Sequence, residues 1–516
     1  MPNSDLTKEI ALLRQDLLDS GYSKPGVLRL LGRQSLVEAK HGAPWSARRK
    51  LADALSDTKS EDHLLSVLVS LFVVGDSLPS SVVERVFSAL TIAGAKQLGI
   101  IAPGVPGTVT AAFSITPHTT ILGETNSTMW IISDLDDHLR TNYARHDHVM
   151  GIGGATLSLI SAIPNEPIVY SADVGTGNGL VALELAQISK QVLATDISKR
   201  ALLFAKLNAQ LNNVENISWG EGDLFDPIQG QKFDLIVSNP PFVITPQGEL
   251  SHWEYRSNFE TGDALLNRML KDVGKYLYHD GTFIALGNWE ENISPGDKNL
   301  SYWIIERGSQ TPLEYVETWL RDSGVLQGSI EYSDFKKQWI KDFNIRDVTE
   351  ITYGYILIRN VAIAEPIKRT ELISGPLGMH TENTSIDGSS EVEMFGQNWS
   401  SYFSAVHRIH AMSKLEILDT VFFRNKSVYE LRTLVPGTEN IIALNLIKQG
   451  GIERQVQVDT TIAAVVGACD GELNLGQIIN ALCVLLEVSY EQLEAEVLSK
   501  INELLWLGIL STALPD

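Results

Sequence analysis

Three glycines at alternate positions, Gly175, Gly177 and Gly179, constrain this 516-residue chain more than any other feature. They lie in Asp173-Val174-Gly175-Thr176-Gly177-Asn178-Gly179, after the apolar run Ile168-Val169-Tyr170 and before the helically spaced Leu180-Val181-Ala182-Leu183-Glu184-Leu185-Ala186. A strand that turns at once into a helix needs backbone conformations that glycine adopts cheaply, and the missing side chains let a ligand approach the backbone. A second apolar run, Gln191-Val192-Leu193-Ala194-Thr195, ends in Asp196, 17 residues beyond Gly179, where a carboxylate can hold ribose hydroxyls. The helix Lys199 to Leu211 follows, then Ile217-Ser218-Trp219 and the acidic turn Gly222-Asp223-Leu224-Phe225. Strands and helices alternating in this way imply an α/β domain with a parallel sheet and ligands at its carboxyl edge.

Downstream, the apolar strand Phe233-Asp234-Leu235-Ile236-Val237 runs into Ser238-Asn239-Pro240-Pro241-Phe242. Two prolines fix φ and remove two backbone donors, which leaves a rigid turn rich in acceptors. The Asn239 side-chain oxygen and the Pro240 carbonyl can converge there on one planar NH2 group, and Phe242 can cover a flat substrate.

With these motifs in order, residues 147–290 resemble the class I S-adenosylmethionine-dependent methyltransferases. Within them they are most similar to the small-domain group of release-factor glutamine and ribosomal RNA guanine-N2 methyltransferases. Asp173 to Gly179 resembles that group's first motif, Ala194-Thr195-Asp196 its second, Gly222 to Phe225 its third and Ser238 to Phe242 its fourth. The resemblance implies a Rossmann-like fold with S-adenosyl-L-methionine as cofactor. It places Gly175, Thr176, Gly177 and Gly179 around the methionine part, Asp196 on the ribose, and Asp223 with Leu224 beside the adenine. Asp173, Asn178, Ile197 and Asn239 complete the expected cofactor-binding set. Asn239, Pro240, Pro241 and Phe242 are the expected catalytic residues. Phe242 departs from the tyrosine usual in the glutamine enzymes; the guanine enzymes more often carry phenylalanine. The whole chain also resembles a large bacterial family, commonest in actinobacteria, of methyltransferase-like proteins with extra domains at both ends.

Methyl transfer from a sulfonium is an in-line displacement at carbon, so the enzyme has mainly to align the nucleophile. An amide or aromatic-amine nitrogen is a poor nucleophile because its lone pair is delocalised. Acceptors at Asn239 and Pro240 can hold both N–H bonds, push the nitrogen toward tetrahedral geometry and stabilise its developing positive charge, worth ~3 kcal/mol per polar group. This chemistry requires no metal. His146-Asp147-His148 could suggest metal ligation, but neighbours two apart on a helix do not share a face, and a capping or cofactor-lid role fits better. His252-Trp253-Glu254-Tyr255-Arg256 and Asn288-Trp289-Glu290 follow strand ends and could line a substrate mouth or be ordinary surface.

The composition is that of a globular protein, 44% hydrophobic and 20% charged. The chain opens on the polar Met1-Pro2-Asn3-Ser4-Asp5, and its longest apolar run, Leu64 to Val74, is too short to cross a bilayer. A cytoplasmic location without membrane attachment is expected. Two cysteines, Cys469 and Cys483, cannot form a disulfide framework or a four-ligand zinc site. Cys483, among Ile478, Ile479, Leu482 and Leu486, is expected in a core.

The net charge of −22 disfavours broad nucleic-acid binding, yet it is unevenly spread. Lys24 to Lys50 holds seven Lys/Arg against Glu38 alone, whereas residues 453–516 hold ten Asp/Glu and two Lys/Arg. Either stretch, residues 24–50 or 453–516, could dock a macromolecular acceptor, or the basic one could be a solvated helix face.

Length suggests about three domains. Residues 1–135 read as a mainly helical, winged-helix-like domain. There two short helices follow Ser77, the string Ala102 to Gly107 breaks the pattern, and a hairpin spans Val109 to Ile115. A strand at Trp130-Ile131-Ile132 leads into the connector Asp134 to His148. Residues 136–365 read as the methyltransferase domain. In it a helix runs from Gly262 to Tyr278 and ends at Gly281, strands cover Thr282 to Leu286 and Gly354 to Ile358, and a capping-box helix runs from Thr311 to Gly324. Residues 366–400 read as a linker. Residues 401–516 read as an α+β domain ending in an acidic, winged-helix-like module. That module has a turn at Cys469 to Glu472, a capped helix from Ser489 and a wing strand at Gly508-Ile509-Leu510.

The leading expectation is an N-methyltransferase acting on a planar primary nitrogen of a macromolecule. The acidic chain favours a protein glutamine, whereas Phe242 and the basic stretch favour a nucleobase amine of RNA or DNA. A small metabolite or peptide acceptor stays open. A cofactor-binding regulatory protein without turnover is disfavoured by the intact Asn239 to Phe242.

Overall fold

The apolar runs that flank the glycine loop form the middle of an eight-stranded sheet. A computed structural model describes residues 6–140, 145, 147–246, 262–322, 325, 327–361, 365–375, 377 and 395–512. The strands are β1 (Ile168–Val174), β2 (Ser189–Asp196), β3 (Ile217–Glu221), β4 (Phe233–Ser238), β5 (Leu277–Trp289), β6 (Ser301–Gln310), β7 (Ile351–Arg359) and β8 (Lys368–Leu372). Their order is β3-β2-β1-β4-β5-β7-β6-β8. Helices α1 (Leu180–Leu185) and α2 (Lys199–Leu211) follow β1 and β2. Helix α3 (Ala264–Asp272) precedes β5, and α4 (Pro312–Asp322) and α5 (Ile330–Ile345) join β6 to β7. The carboxyl-terminal ends of β1, β4 and β5 are buried without alternation, because the central strands of such a sheet are covered on both faces.

The expectation of a parallel sheet holds from β3 to β5 and fails beyond. There β7 inserts between β5 and β6 and pairs antiparallel with both, while β8 adds parallel to β6. Strand residues carry their apolar pattern but not their direction, so the insertion left no local trace. The helix expected to reach Tyr278 stops earlier: β5 already starts at Leu277, and Gly281 lies inside it. A Cβ at Gly281 would sit 2.7 Å from the Phe233 carbonyl, so this glycine serves close strand contact at a register shift rather than helix termination.

By packing, the chain forms two compact units. One holds residues 1–160, 166–361 and 368–372; the other holds 161–165, 362–367 and 373–516. In the first unit the N-terminal helices share one apolar core with α2, running from Ile10, Leu13 and Leu17 through Leu65, Leu68 and Phe72 to Phe204 and Leu211. The strand Thr128–Ser133 is sealed by α2 in an unusual way. Asn212 takes the Trp130 amide N–H and gives its own amide to the Trp130 carbonyl (2.9 and 2.8 Å), and Asn208 does the same for Ile132 (2.8 and 2.9 Å). Two amides spaced four apart on a helix thus stand in for a neighbouring strand, pairing with alternate residues. The hairpin expected at Val109 to Ile115 is displaced. Ile101–Pro103 pairs with Thr108–Ala111, so the Pro/Gly string is its turn, and Ser114–Thr119 pairs instead with Thr128–Ser133.

The second unit holds helices Phe395–His410, Lys414–Asp419, Thr460–Ala468, Leu475–Leu486 and Tyr490–Trp506, with two three-stranded sheets. Leu493, Val497, Ile501, Leu504 and Leu505 are all buried, as their spacing requires. The expected turn at Cys469 to Glu472 is largely strand: Asp470–Asn474 pairs with Val421–Arg424, which also takes Leu510–Ser511. Cys483 is only half-buried, against expectation. The last turn of its helix faces outward, with Val484 and Leu485 exposed, and Cys469 is the buried cysteine. Among the described residues no helix is long and apolar enough to cross a membrane. The segment His252 to Arg256, His146, the Gly324 helix end and nearly all of 376–394 lie outside the described residues.

Candidate active site

Sheet order reverses around β1, which has β2 on one side and β4 on the other. Open α/β sheets bind ligands at the carboxyl end of such a switch point, and there the structure brings together the glycine loop, Asp196 and the Asn239 turn.

The loop leaves β1 with Gly175, Gly177 and Gly179 at φ of 81, 56 and 88°, in the left-handed region. A Cβ on Gly175 or Gly177 would meet nothing within 4 Å, so the loop's outer face is open backbone. At Gly179 a Cβ would lie 2.9 Å from that of Ala205, so the third glycine lets α2 approach closely. Asp196 organises the rest: Oδ2 accepts from the Gly177 amide (2.9 Å) and Oδ1 from Ser198 (2.8 Å). The Ile197 N–H also bonds this carboxylate, which leaves it acceptor capacity for a further donor. Burial raises the Asp196 pKa, opposed by these backbone N–H groups. Asp173, below the loop, accepts from the Thr176 hydroxyl at 2.6 Å, and burial pushes its carboxyl up to about 7.

Asn178 works within the chain. Its amide donates to the Met150 carbonyl (2.8 Å) and its oxygen accepts from Leu180 (2.9 Å), which ties residue 150 to the loop. The preceding connector is fixed by Asp134, which pairs with Arg200 and accepts from the Val149 amide at 2.7 Å. His148 lies 3.5 Å from Asp134, and burial lowers its pKa to about 4, so the ring is neutral near pH 7. Ile197 is exposed beside Asp196. Asp223 pairs with Arg268 of α3 at 2.5 Å, and Leu224 takes φ 43°, a left-handed turn costing a non-glycine residue roughly 1–2 kcal/mol.

At the end of β4, the Ser238 hydroxyl donates to the Val174 carbonyl at 2.7 Å, clamping the two strand ends together. The Asn239 amide reaches the Thr156 hydroxyl at 3.4 Å, while its buried oxygen Oδ1 has no hydrogen-bond partner among the described residues. A buried orphan acceptor costs about 1–3 kcal/mol, a penalty that an incoming N–H donor relieves. Pro240 is buried and Pro241 half-buried; Phe242 packs edge-on against Trp319, ring centroids 6.0 Å apart.

Behind this turn lies a group that local sequence did not reveal. The Tyr315 hydroxyl oxygen, fully buried on α4, accepts from the Ile244 amide and from the Asn288 side chain, both at 2.9 Å. Asn288 ends β5, so one phenol links the Asn239 turn to the neighbouring strand. Glu290 pairs with Arg346 and its second oxygen is also without a partner among the described residues. A cavity of about 300 Å³, with Arg14, Gln187 and Asn216 in its wall, opens at the loops that precede β2 and β3. That is the opposite, amino edge of the sheet.

The basic stretch is largely spoken for. Arg29 pairs with Asp62, Arg48 with Asp76, and Lys50 with the Leu31 carbonyl. Trp45 stays exposed with the Arg49 guanidinium 5.1 Å from its ring centre.

Residues 150–294 match the family described as methyltransferase small domain, and residues 19–112 match a domain of unknown function, DUF7059. A release factor glutamine methyltransferase of Xylella fastidiosa is 41% identical over 98 residues, 19% of this chain and 35% of that protein. A ribosomal protein uL3 glutamine methyltransferase of Francisella tularensis is 33% identical over 185 residues, 33% of this chain and 55% of that protein. The chain thus spans roughly a third to a half of these relatives. The Thermus thermophilus 16S rRNA N2 G1207 methyltransferase, solved with AdoMet and guanosine, is 16% identical over 43% of this chain and 59% of its own, with a TM-score of 0.26, too low to bear on fold or function.

Proposed function

We propose that the small domain at residues 150–294 transfers a methyl group from S-adenosyl-L-methionine to a planar primary nitrogen, the side-chain amide of a protein glutamine. The open backbone at Gly175 and Gly177 and the remaining acceptor capacity of Asp196 suit the cofactor's methionine and ribose parts. Bound there, the cofactor supplies an electrophilic methyl carbon on a sulfonium.

Asn239 carries the assignment of the acceptor. Its buried Oδ1 is a preplaced acceptor for one N–H of a primary amide, and the Pro240 carbonyl can take the other. Held by both hydrogens, the amide nitrogen turns its lone pair toward the methyl carbon, and one of its two N–H protons is lost to solvent once the nitrogen is methylated. The developing positive charge is stabilised by the same two oxygens. The glutamine acceptor is favoured by the two glutamine methyltransferases similar to this chain and by the acidic charge of the protein. The nucleobase reading retains one surface observation, the exposed Trp45–Arg49 stack.

The test is transfer of radiolabelled methyl groups to lysate of a strain lacking this protein. Label in protease-sensitive, RNase-resistant material, released as N5-methylglutamine on digestion, is expected. RNase-sensitive label would overturn the glutamine assignment, and folded protein that fails to bind S-adenosylmethionine in calorimetry would overturn the activity itself.

A further inference from the structure

The second unit carries a sheet edge whose sequence matches itself in reverse. Strand Val428–Leu434 pairs on one side with Ile441–Lys448, and among the described residues nothing pairs with its other side. All six residues from Tyr429 to Leu434 are exposed, so both faces of the strand meet solvent as well as its edge. Tyr429, Leu431 and Leu434 are between 46 and 56% exposed. A long exposed edge with apolar side chains is a template for another strand.

Backbone phase decides which residues face outward. The Ser427 carbonyl accepts from the Gln449 amide, so Ser427 directs its backbone toward the neighbouring strand. In an antiparallel ladder this alternates. Tyr429, Leu431 and Thr433 therefore point inward to the ladder, and Glu430 and Arg432 present their N–H and C=O groups to the free side, whereas the Val428 N–H is already taken by the Asn425 carbonyl.

We infer that this edge pairs with the same edge of a second copy of the chain, antiparallel and centred on Leu431. Two-fold symmetry then sets Leu431 opposite Leu431, Glu430 opposite Arg432 and Arg432 opposite Glu430. Tyr429 meets Thr433, and Val428 meets Leu434. Every charge faces its opposite, and Glu430 and Arg432 are also the residues whose outward backbone groups can exchange hydrogen bonds. Within one chain Arg432 already pairs with Glu430, so association trades two exposed intrachain ion pairs, one in each copy, for two between chains. The shift in register between Thr433 and Leu434 ends the regular edge there. An unrelated extended segment would have no reason to match this alternation of charge; a second copy does so by symmetry.

Sedimentation velocity on the full chain at about 1–100 µM, the range in which a weak self-association is read out, tests the pairing. The wild type is expected to dimerise. Arg432→Glu places Glu430 opposite a second acid and should weaken association by about tenfold or more, at both sites of the symmetric contact. The double exchange Glu430→Arg with Arg432→Glu restores opposite charges and should recover the wild-type constant within a few fold. Unchanged circular dichroism and Tm report that these exposed substitutions leave the fold intact. A wild type that stays monomeric, a dimer indifferent to Arg432→Glu, or a double exchange that fails to restore it would each overturn the inference.

Discussion

The hydroxyl oxygen of Tyr315 accepts the backbone N–H of Ile244 at 2.9 Å, holding the chain five residues beyond Asn239 although the two partners are 71 residues apart in sequence. Tyr315→Phe leaves that amide and the Asn288 side chain buried without an acceptor, at a cost of about 1–3 kcal/mol. Thermal melting should show the lower stability. Turnover should fall more than affinity for S-adenosylmethionine, because the Asn239 turn loses its anchor while the glycine loop does not. Equal losses in turnover and cofactor affinity would place the effect on the domain as a whole.

Asn239→Ala removes the orphan acceptor. Methyl transfer should drop by two orders of magnitude or more, roughly the effect of deleting one oxyanion-hole donor. Cofactor affinity measured by calorimetry should stay within a few fold, because Asn239 orients the acceptor. Near-normal turnover in this variant would rule out the Asn-Pro-Pro mechanism.

Asp196→Ala takes away the acceptor of the Gly177 and Ser198 amides together with the expected ribose bonds. Binding of S-adenosylmethionine should weaken by about 1.5–3 kcal/mol, on the order of ten- to a hundredfold. Calorimetry measures it, with circular dichroism to check that the loop's loss has not unfolded the domain.

Asp173 gives a pH signature. Its carboxyl, pushed up to about 7 by burial, holds its proton in the folded chain where the unfolded chain has released it. Stability from this group is therefore full below the ordinary carboxylate range and is lost as pH rises toward 7. Asp173→Asn removes the titration while keeping an oxygen for the Thr176 hydroxyl. The Tm of the variant relative to wild type should rise between about pH 4 and 7. A constant difference would mean that Asp173 ionises normally.

Arg48 and Lys50 have internal partners, so reversing them would perturb structure as well as charge. Trp45→Ala with Arg49→Glu addresses the exposed stack alone. A protein acceptor predicts unchanged methyl incorporation, whereas an RNA acceptor predicts a loss, and a salt slope of binding shallower by about 0.7–0.9 for the lost phosphate contact.

The sequence alone determined what depends on short stretches of chain. The glycines at 175, 177 and 179, the carboxylate at 196 and the Asn-Pro-Pro turn at 239 are local devices, each set by the conformations its own residues allow, and the structure brings them to one sheet edge. The capping box at Thr311 was readable for the same reason: Glu314 takes both the amide and hydroxyl of Thr311. Only the tertiary structure decided the rest. No pattern within β7 says that it enters antiparallel between β5 and β6, since alternation of apolar residues is blind to strand direction. Asn208 and Asn212 read as ordinary polar helix positions until the strand Thr128–Ser133 is laid against them. Tyr315 became part of the site, and Cys483 left the core, through contacts between segments distant in sequence or through the facing of a helix's last turn. Local conformational preference acts over a few residues, whereas the pairing of surfaces is chosen by the free energy of the whole packed unit.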